Sequence, residues 1–366
     1  MRAVVLVGGE GTRLRPLTLT APKQMLPIVE VPMIERVLAH LDAHGVEEAV
    51  LSLGYRPDPF LSLFPGDRAG KVRLSYAVEP EPLGTAGAIR FAAEAAGIEE
   101  TFLAVNGDVL TDLDVTALVD LHRKWSAEGT IALTRVPDPS AFGLVPTGPD
   151  GRVHAFVEKP LPGEAHTATG DINAGTYVLE PSVLDRIPAG RFSLIEREIF
   201  PPMADEGRLF AALSEAYWTD TGTPALYLQA QLDLLDGLRP PPPAPGAHLR
   251  DGAAKGPVWL IDGAVVDGRV VGPSLIGAAA FVHAGATVDH AVIGSGARIG
   301  EGAEVRDSLL LPGAVVHADA VVDGSIVGEG AVVGEGARLT GLTVVGGGVE
   351  IDPQARLYGV RVPVGG

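Results

Sequence analysis

The chain contains no cysteine. This absence excludes a disulfide framework, a nucleophilic thiolate and a thiolate metal site. Basic residues are scarce too, because 28 lysines and arginines stand against 46 aspartates and glutamates, and the formal net charge is −18. Such a charge argues against nucleic acid and against an anionic membrane surface as partners, since both select basic proteins. A small anionic ligand is still compatible, because a local pocket can be positive within an acidic protein.

Long hydrophobic runs are missing as well. No stretch approaches the ~18 consecutive apolar residues of a membrane-spanning helix, and the N-terminus lacks the pattern of a signal peptide. The sequence therefore predicts a cytoplasmic protein. With 366 residues, of which 46% are hydrophobic, the chain is expected to form two domains with sizeable cores.

The first two-thirds of the chain alternates strand-like and helix-like segments. Short apolar runs indicate the strands and helical spacing of apolar residues indicates the helices. The predicted strands are 2–7, 48–54, 73–79 and 102–108, and the predicted helices are 32–44 and 85–97. This alternation is typical of an α/β fold with a mostly parallel sheet, in which ligands bind beyond the carboxyl ends of the strands.

A proline-rich stretch, Arg239–Gly246, ends this alternation and predicts an extended spacer. Beyond it, Ile or Val recurs about every six residues, usually followed by glycine, a period typical of a parallel β-helix. The pattern resembles the left-handed β-helix of hexapeptide-repeat proteins. The expected parts are an α/β domain over 1–238, a linker over 239–257 and a β-helix over 258–366.

A glycine-rich segment follows the first predicted strand, and residues 8–28 read GGEGTRLRPLTLTAPKQMLPI. Its glycines let backbone N–H groups approach a phosphate closely, and Arg13 and Lys23 can neutralise a polyphosphate. The spacing fits neither a P-loop, which ends in Gly-Lys-Ser/Thr, nor a dinucleotide fingerprint, because Leu14 stands where the third glycine belongs. Taken alone, the segment could also be a simple turn between strand and helix.

Together with five further motifs, this segment resembles the signature of the sugar-1-phosphate nucleotidyltransferases. The motifs, in family order, are EPLGTAGAI (81–89), VNGDVLTDLD (105–114), FVEKP (156–160), NAGTYVLEP (173–181) and WTDTGTP (218–224). The resemblance covers nearly the whole chain, including the β-helical tail. It implies attack by a sugar-1-phosphate oxygen on the α-phosphorus of a nucleoside triphosphate, with Mg²⁺, giving an NDP-sugar and pyrophosphate. Such catalysis consists mainly of positioning and of neutralising charge between two anions.

The resemblance also implies a role for each matching residue. Arg13 and Lys23 would act on the triphosphate, and Asp108 and Asp220 would hold Mg²⁺, which prefers carboxylate and phosphate oxygens. The nucleotide-binding residues would be Leu6, Gly8, Gly9, Gly11, Thr12, Arg13, Glu79, Gly84 and Thr85. The sugar-phosphate-binding residues would be Gly143, Glu158, Lys159 and Asn173.

Glu79 is the residue from which we predict the choice of base. Relatives that transfer thymidylyl or uridylyl groups typically have glutamine at the matching position. An ionised glutamate only accepts hydrogen bonds; guanine offers two adjacent donors, whereas uracil and thymine offer one N–H between two carbonyls. We therefore expect GTP, and the motifs and the tail length look most like the branch that uses mannose-1-phosphate. Glucose-1-phosphate thymidylyl or uridylyl transfer is the alternative.

Two other classes of function stay open at this stage. The first is a hexapeptide-repeat acyltransferase with a base among His283, His290 and His317, although no acyltransferase motif accompanies them. The second is a non-catalytic protein that binds nucleotide sugars, against which the intact Arg13 and Lys23 argue. The β-helical tail is expected to form a homo-oligomer and to carry no chemistry, because the open ends of such a helix must be capped.

Overall fold

The structure is a computed structural model that describes residues 1–54, 57–158, 170–239, 243–250 and 255–363. The chain forms two compact units. The sheet unit comprises Met1–Gly9 and Ile34–Trp218, and the β-helix unit comprises Glu10–Met33 and Thr219–Gly366. Each unit therefore contains two pieces of chain, and the segment from Glu10 to Met33 belongs with the β-helix.

A mixed sheet of ten strands forms the centre of the sheet unit. Eight strands follow one another in the spatial order Val157–Glu158, Gly143–Leu144, Asp171–Leu179, Phe102–Asn106, Arg2–Leu6, Glu48–Leu53, Val72–Val78 and Arg68–Ala69. Gly129–Arg135 pairs with Asp171–Leu179, and Leu209–Leu213 pairs with Gly129–Arg135. The four strands from Phe102–Asn106 to Val72–Val78 run parallel to one another, which confirms the mostly parallel sheet.

The parallel strands are apolar because helices and other strands remove both of their faces from water. Val4 lies in register between Val50 and Ala104, and all three are at most 1% exposed. Small side chains on the helix Gly84–Ala95 are fully buried, which lets this helix lie close to the sheet. The resulting core fixes the carboxyl ends of the parallel strands along one edge of the sheet.

The helices lie close to their predicted bounds. The predictions 32–44 and 85–97 are observed as Met33–Ala43 and Gly84–Ala95, and the predicted strands are also observed. The other α-helices are Asp58–Leu63, Val115–Trp125, Ser182–Arg186, Phe200–Asp205 and Pro224–Leu235, with a π-helical turn at Ile195–Ile199. Short 3₁₀ helices are Thr12–Leu14, Leu17–Leu19 and Lys23–Met25, and short strands outside the two main folds are Pro27–Ile28, Val31–Pro32, Val109–Thr111 and Trp218–Asp220.

Three sheets of short strands form the β-helix, and every strand in them is parallel to its neighbours except His248–Leu249. The first sheet contains His248–Leu249, Val258–Leu260, Ser274–Ile276, Val292–Ile293, Leu309–Leu310, Ile326–Val327, Val344–Val345 and Arg361–Val362. The second contains Val265–Val266, Phe281–Val282, Arg298–Ile299, Val315–Val316, Val332–Val333 and Glu350–Ile351. The third contains Arg269–Val271, Thr287–Asp289, Glu304–Arg306, Val321–Asp323, Arg338–Thr340 and Arg356–Tyr358.

Stacked aliphatic side chains fill the β-helix. Ile276, Ile293, Leu310 and Val327 are register partners in successive coils, and each is fully buried. The same side chain position thus recurs once per coil, so that each coil buries its apolar residue against the coils above and below it. The hexad pattern of the sequence therefore predicted this architecture correctly, and the parallel sheets are those expected of a left-handed β-helix.

A cluster of charges ties two helices of the sheet unit to its sheet. Arg186 donates to Glu128 through Nε and Nη2, both at 2.8 Å, and to Glu206 through Nη1 at 3.0 Å and Nη2 at 2.6 Å. These hydrogen bonds hold the pKa of the Glu128 carboxyl, and that of Glu206, below the usual 4.5, although partial burial of Glu128 opposes the shift.

Arg186→Met is expected to lower the free energy of unfolding by about 2 kcal/mol at pH 7, because it leaves the buried Glu128 carboxylate without its main partner. A carboxyl whose folded pKa is depressed contributes its stability above its ordinary pKa and loses it as the pH falls through the folded value. The difference in urea unfolding between wild type and variant should therefore be largest at pH 7 and shrink below about pH 4.5. Arg123→Met, on an exposed helix face, is the control, and a difference of equal size at pH 7 and pH 4 would contradict the assignment.

Candidate active site

The first glycines of the signature lie where the strand Arg2–Leu6 ends. Leu6 is half-buried, Gly8 and Gly9 are exposed, and Gly9 has a φ of 104° that favours glycine. Within the described ranges, no heavy atom lies within 4 Å of the position that a Cβ of Gly8 or Gly9 would take. A phosphate can therefore approach this backbone closely, as the sequence predicts.

The signature continues in the β-helix unit with a tight turn. Gly11 has a φ of 62°, and a Cβ there would lie 2.9 Å from Thr18 Cγ2 and 3.2 Å from the Cβ of Lys23. A side chain at this position would push the turn away from Lys23. The 3₁₀ helix that follows exposes Thr12 and Arg13. These exposed residues are available to a ligand that reaches the turn.

Two cations of the signature meet one carboxylate. Lys23 Nζ lies 3.3 Å from Asp220 Oδ1, and Arg13 Nη2 lies 3.7 Å from Asp220 Oδ2. Lys23 is only 6% exposed, whereas the Arg13 side chain is 64% exposed. A buried ammonium needs a counter-charge, so Asp220 fixes Lys23 while Arg13 stays open to solvent. The structure thus brings together three of the predicted residues.

Gly222 lies beside this cluster and was not among the predicted site residues. A Cβ at this position would lie 2.6 Å from Arg13 Nη2 and 2.8 Å from Asp220 Oδ1. A side chain here would therefore displace the ends of the Arg13 and Asp220 side chains from their present positions. The WTDTGTP motif contained this signal, because its glycine stands two residues after the aspartate.

Asp108 lies in the sheet unit, at the carboxyl end of the strand Phe102–Asn106. This strand is paired in register with Arg2–Leu6, so that both end at the same edge of the sheet. Gly107 N donates to Leu6 O at 2.8 Å, and a Cβ at Gly107 would lie 2.6 Å from Val7 Cγ1. The turn that carries Asp108 therefore packs directly beside the start of the glycine turn.

Three neighbouring strands carry the residues predicted to bind the sugar phosphate. Gly143 pairs with Glu158, and the next residue of its strand pairs with Ile172, beside Asn173. Asn173 Oδ1 accepts from Gly175 N at 3.0 Å, and its Nδ2 donates to the Tyr177 hydroxyl at 2.8 Å. These bonds orient the amide and leave it further capacity toward a sugar hydroxyl. Lys159 lies outside the described residues.

A bulge gives the strand Asp171–Leu179 its shape at this point. The register shifts between Asn173 and Tyr177, and Gly175 has a φ of 74°. The indole of Trp218, which was not predicted as a site residue, donates to Ala174 O at 2.9 Å and packs edge-on against Phe142. Trp218 therefore supports the bulge, and its place in the WTDTGTP motif was the available signal.

Glu79 makes hydrogen bonds of its own within the sheet unit. Ser52 Oγ donates to Oε1 at 3.1 Å, and Leu83 N donates to Oε2 at 3.0 Å. The carboxylate thus orders the turn before the helix Gly84–Ala95. Each oxygen has a second lone pair, so this role leaves room for a donor on a base.

Gly84 and Thr85 likewise have structural tasks. Gly84 has a φ of 72°, and a Cβ there would lie 2.5 Å from Ser193 O. The Thr85 hydroxyl donates to Glu196 Oε2 at 2.7 Å and accepts from Ile195 N at 3.0 Å. Glycine is therefore needed at position 84 whether or not a nucleotide binds there, and the Thr85 side chain joins its helix to the turn at Ile195–Ile199.

Neither unit contains a ready-made metal centre in the part of the chain that the structure describes. No group of three or more His, Cys, Asp or Glu side chains is arranged there to hold an ion.

None of the described helices combines the length and the apolar character needed to cross a membrane.

The comparisons with known proteins agree with the fold and with the signature. Residues 2–237 match the family described as Nucleotidyl transferase, and residues 270–364 match the GMPPB C-terminal domain. The chain belongs to the nucleotidyl transferase family, and it is a nucleotidyltransferase whose catalytic fold is followed by a β-helix.

Several relatives show how this family membership extends along the chain. The chain is 41% identical to a mannose-1-phosphate guanylyltransferase from Mycobacterium tuberculosis over 311 residues, which cover 83% of this chain and 82% of that protein. It is 33% identical to a UTP–glucose-1-phosphate uridylyltransferase from Synechocystis over 336 residues, with coverage of 84% and 86%. The fold also matches the crystal structure of HddC from Yersinia pseudotuberculosis complexed with GMP-PN, with a TM-score of 0.55. The sequence identity is 30%, and the match covers 63% of this chain and 97% of the HddC chain.

Proposed function

We propose that this nucleotidyltransferase transfers a guanylyl group from GTP to mannose-1-phosphate, releasing pyrophosphate and forming GDP-mannose. The observation that carries the transfer chemistry is the cluster of Lys23, Arg13 and Asp220, in which two cations of a glycine-rich segment meet at one carboxylate. The name of the relative from Mycobacterium tuberculosis supports the choice of base and sugar.

Positioning and charge neutralisation carry the reaction. The backbone N–H groups of Gly8, Gly9 and Gly11 and the exposed Arg13 bind the triphosphate, and Lys23, fixed by Asp220, holds oxygens at the α-phosphorus. An oxygen of the sugar phosphate attacks that phosphorus in line, and pyrophosphate leaves toward Arg13. No enzyme nucleophile is required.

The sugar phosphate is held on the sheet unit in this proposal. The neighbouring strands of Gly143, Glu158 and Asn173 bind the sugar hydroxyls, and Lys159 binds the phosphate. Because both substrates are anions, holding them together against their repulsion accounts for much of the rate enhancement.

Asp108 and Asp220 suit Mg²⁺. Both offer hard carboxylate oxygens, and two carboxylates with substrate phosphates are a usual magnesium environment. Bound Mg²⁺ would supply charge neutralisation at the phosphate oxygens.

A substrate matrix tests the specificity. Purified enzyme with Mg²⁺ is given each of GTP, UTP, dTTP and ATP with mannose-1-phosphate or glucose-1-phosphate, and pyrophosphate is followed. The pair of GTP and mannose-1-phosphate should have the highest kcat/KM. The second candidate, uridylyl transfer to glucose-1-phosphate, is favoured by the likeness to the Synechocystis enzyme. A preference for UTP with glucose-1-phosphate would replace our proposal with it, and a preference for dTTP with glucose-1-phosphate would replace it with thymidylyl transfer.

Glu79→Gln should lower kcat/KM for GTP about tenfold relative to UTP and dTTP, because the new amide presents a donor to a guanine donor. The turn should survive, since the glutamine oxygen can still accept from Leu83 N. Glu81→Gln, at an exposed neighbouring position, is the matched control. An unchanged base preference in Glu79→Gln would remove Glu79 from base recognition.

The division of labour along the chain is also part of the proposal. Residues 1–238 carry the chemistry, 239–257 link the parts, and the β-helix of 258–366 joins copies of the chain into a homo-oligomer. The open end of its last coil, where Tyr358 is 79% exposed, must be capped, which suits a contact between copies. Light scattering should therefore give a mass above that of one chain.

A further inference from the structure

We propose that Ser295 of the β-helix positions Lys23 for phosphate binding through a hydrogen-bonded connection to Glu30. All three residues lie within the β-helix unit. The inference rests on the phosphate-binding role proposed for Lys23. It gives the β-helix a positioning role in the reaction, in addition to assembly.

Glu30 lies in the turn of a tight hairpin that follows Lys23 in the chain. Pro27–Ile28 pairs antiparallel with Val31–Pro32, and the turn residues Val29 and Glu30 have φ of 46° and 68°. Turns with two left-handed residues favour Asn-Gly, and a branched side chain such as valine is strained there. Such a backbone persists where contacts from outside hold it.

The helix Pro224–Leu235 holds the hairpin from one side. Gln231 Oε1 accepts from Val29 N at 2.6 Å, and Gln231 Nε2 donates to Pro27 O at 2.8 Å. The Tyr227 hydroxyl donates to the same carbonyl at 2.6 Å. Gln231 and Tyr227 are fully buried. These bonds fix the first strand of the hairpin and the start of its turn.

The β-helix holds the end of the turn through the Glu30 carboxylate. Ser295 N donates to Oε1 at 3.0 Å, and Ser295 Oγ donates to Oε2. Both oxygens are thus bound by one residue at a corner of the coil, just after the strand Val292–Ile293. Two charge-assisted bonds fix the position of the carboxylate and also its orientation.

The hairpin continues directly from the 3₁₀ helix that begins at Lys23. Leu26 N donates to Lys23 O at 3.1 Å, and Met33 N donates to Leu26 O at 3.2 Å. The residue that ends the 3₁₀ helix is therefore bonded to the residue that follows the hairpin. In this proposal a shift of the hairpin is transmitted through these bonds to the 3₁₀ helix that carries Lys23.

A cavity of about 230 Å³ interrupts the packing of this segment against the coils, and its lining includes Leu17, Leu26, Glu30, Leu311 and Glu329. The segment meets the coils again at Gly346, where a Cβ would lie 3.1 Å from Pro16 Cβ. In this proposal the position of Lys23 depends on these separate contacts, and Glu30, like Pro16, is seven residues from Lys23 in the sequence.

Two substitutions weaken the hydrogen bonds between Ser295 and Glu30, one at each residue. Glu30→Ala removes the acceptor, and Ser295→Ala removes one donor while keeping the backbone N–H. Alanine is compatible with this corner, because Ala278 occupies the equivalent place in the preceding coil. Ser295→Ala should lower kcat about threefold and Glu30→Ala at least about tenfold, with little change in KM, since small misplacement of a catalytic group costs rate. Glu335→Ala, an exposed glutamate at another corner of the β-helix, is the control and should keep wild-type kcat.

A double-mutant cycle shows whether Glu30 acts through Lys23. In a Lys23→Arg background the longer side chain already places its charge differently. Glu30→Ala should therefore change kcat less than twofold in that background. An equal fold-loss in both backgrounds, or wild-type kcat in both Glu30→Ala and Ser295→Ala, overturns the proposal. Ser295→Thr keeps the hydroxyl and should recover more activity than Ser295→Ala.

Amide hydrogen exchange tests the connection without substrate, so that it does not depend on the proposed function. Glu30→Ala should speed exchange at residues 20–33 and leave the strands of the β-helix at wild-type rates. Unchanged exchange overturns the connection itself. A wild-type enzyme without transferase activity overturns instead the role of Lys23 and the proposed function, whatever the exchange rates are.

Discussion

Asp220→Asn and Asp108→Asn are each expected to lower turnover at least about a hundredfold, which corresponds to about 2.7 kcal/mol of activation free energy. Each removes one charged oxygen ligand from the proposed magnesium site. Asp220→Asn also removes the counter-charge that lies 3.3 Å from Lys23 Nζ. Both variants should keep the far-ultraviolet circular dichroism of the wild type, because both aspartates lie at the ends of strands.

Two comparisons make this prediction specific. Asp120→Asn, on an exposed helix face, is the matched control and should turn over like wild type. Chelation of divalent cations should abolish turnover of the wild type, and added Mg²⁺ should restore it. Near-normal Mg²⁺-dependent turnover in either aspartate variant would remove that residue from the metal site.

Lys23→Met should lower kcat about a thousandfold, or about 4 kcal/mol, with a smaller change in KM for GTP. Lys23 is almost completely buried and fixed by Asp220, so its charge is held in one place. In the proposed mechanism that place is where phosphate charge develops. Methionine has a similar length and no charge, and Asp220 keeps Arg13 as a partner. The fold should therefore survive, as measured by the thermal unfolding midpoint.

Lys124→Met is the control for the loss of a lysine, because Lys124 is exposed. Pre-steady-state mixing separates the chemical step from product release, and the loss should appear in the chemical step. If Lys23→Met raised KM and kept kcat, Lys23 would bind the ground state and the transition state equally. Its proposed role at the α-phosphorus would then be wrong.

Local sequence patterns predicted most of the fold, because the spacing of apolar residues indicates which face of a strand, helix or coil is buried. The apolar run at 2–7 became a parallel strand, and the six-residue period beyond residue 258 became stacked coils. The open glycine turn likewise follows its motif. In each case the signal lies within a few residues or repeats along the chain, whereas the meeting of Lys23 with Asp220, 197 residues away, was not predicted.

The remaining features depend on contacts between residues that are distant in sequence. Glu30 and Ser295 are 265 residues apart, and no local pattern links them. At Val29 and Glu30 the local preference even opposes the observed turn, because neither residue favours a positive φ. Glu79 was predicted from its chemistry toward a base, yet its bonds to Ser52 and Leu83 N became visible only in the folded sheet unit.

The position of the transferred phosphorus tests the central claim most directly. Wild-type enzyme is incubated with Mg²⁺, mannose-1-phosphate and GTP labelled either at the α- or at the γ-phosphorus. We expect the α-label in a sugar nucleotide and the γ-label in pyrophosphate, in equal amounts, and both only when mannose-1-phosphate is present. Release of the γ-label as inorganic phosphate, or of pyrophosphate at the same rate without the sugar phosphate, would contradict the account.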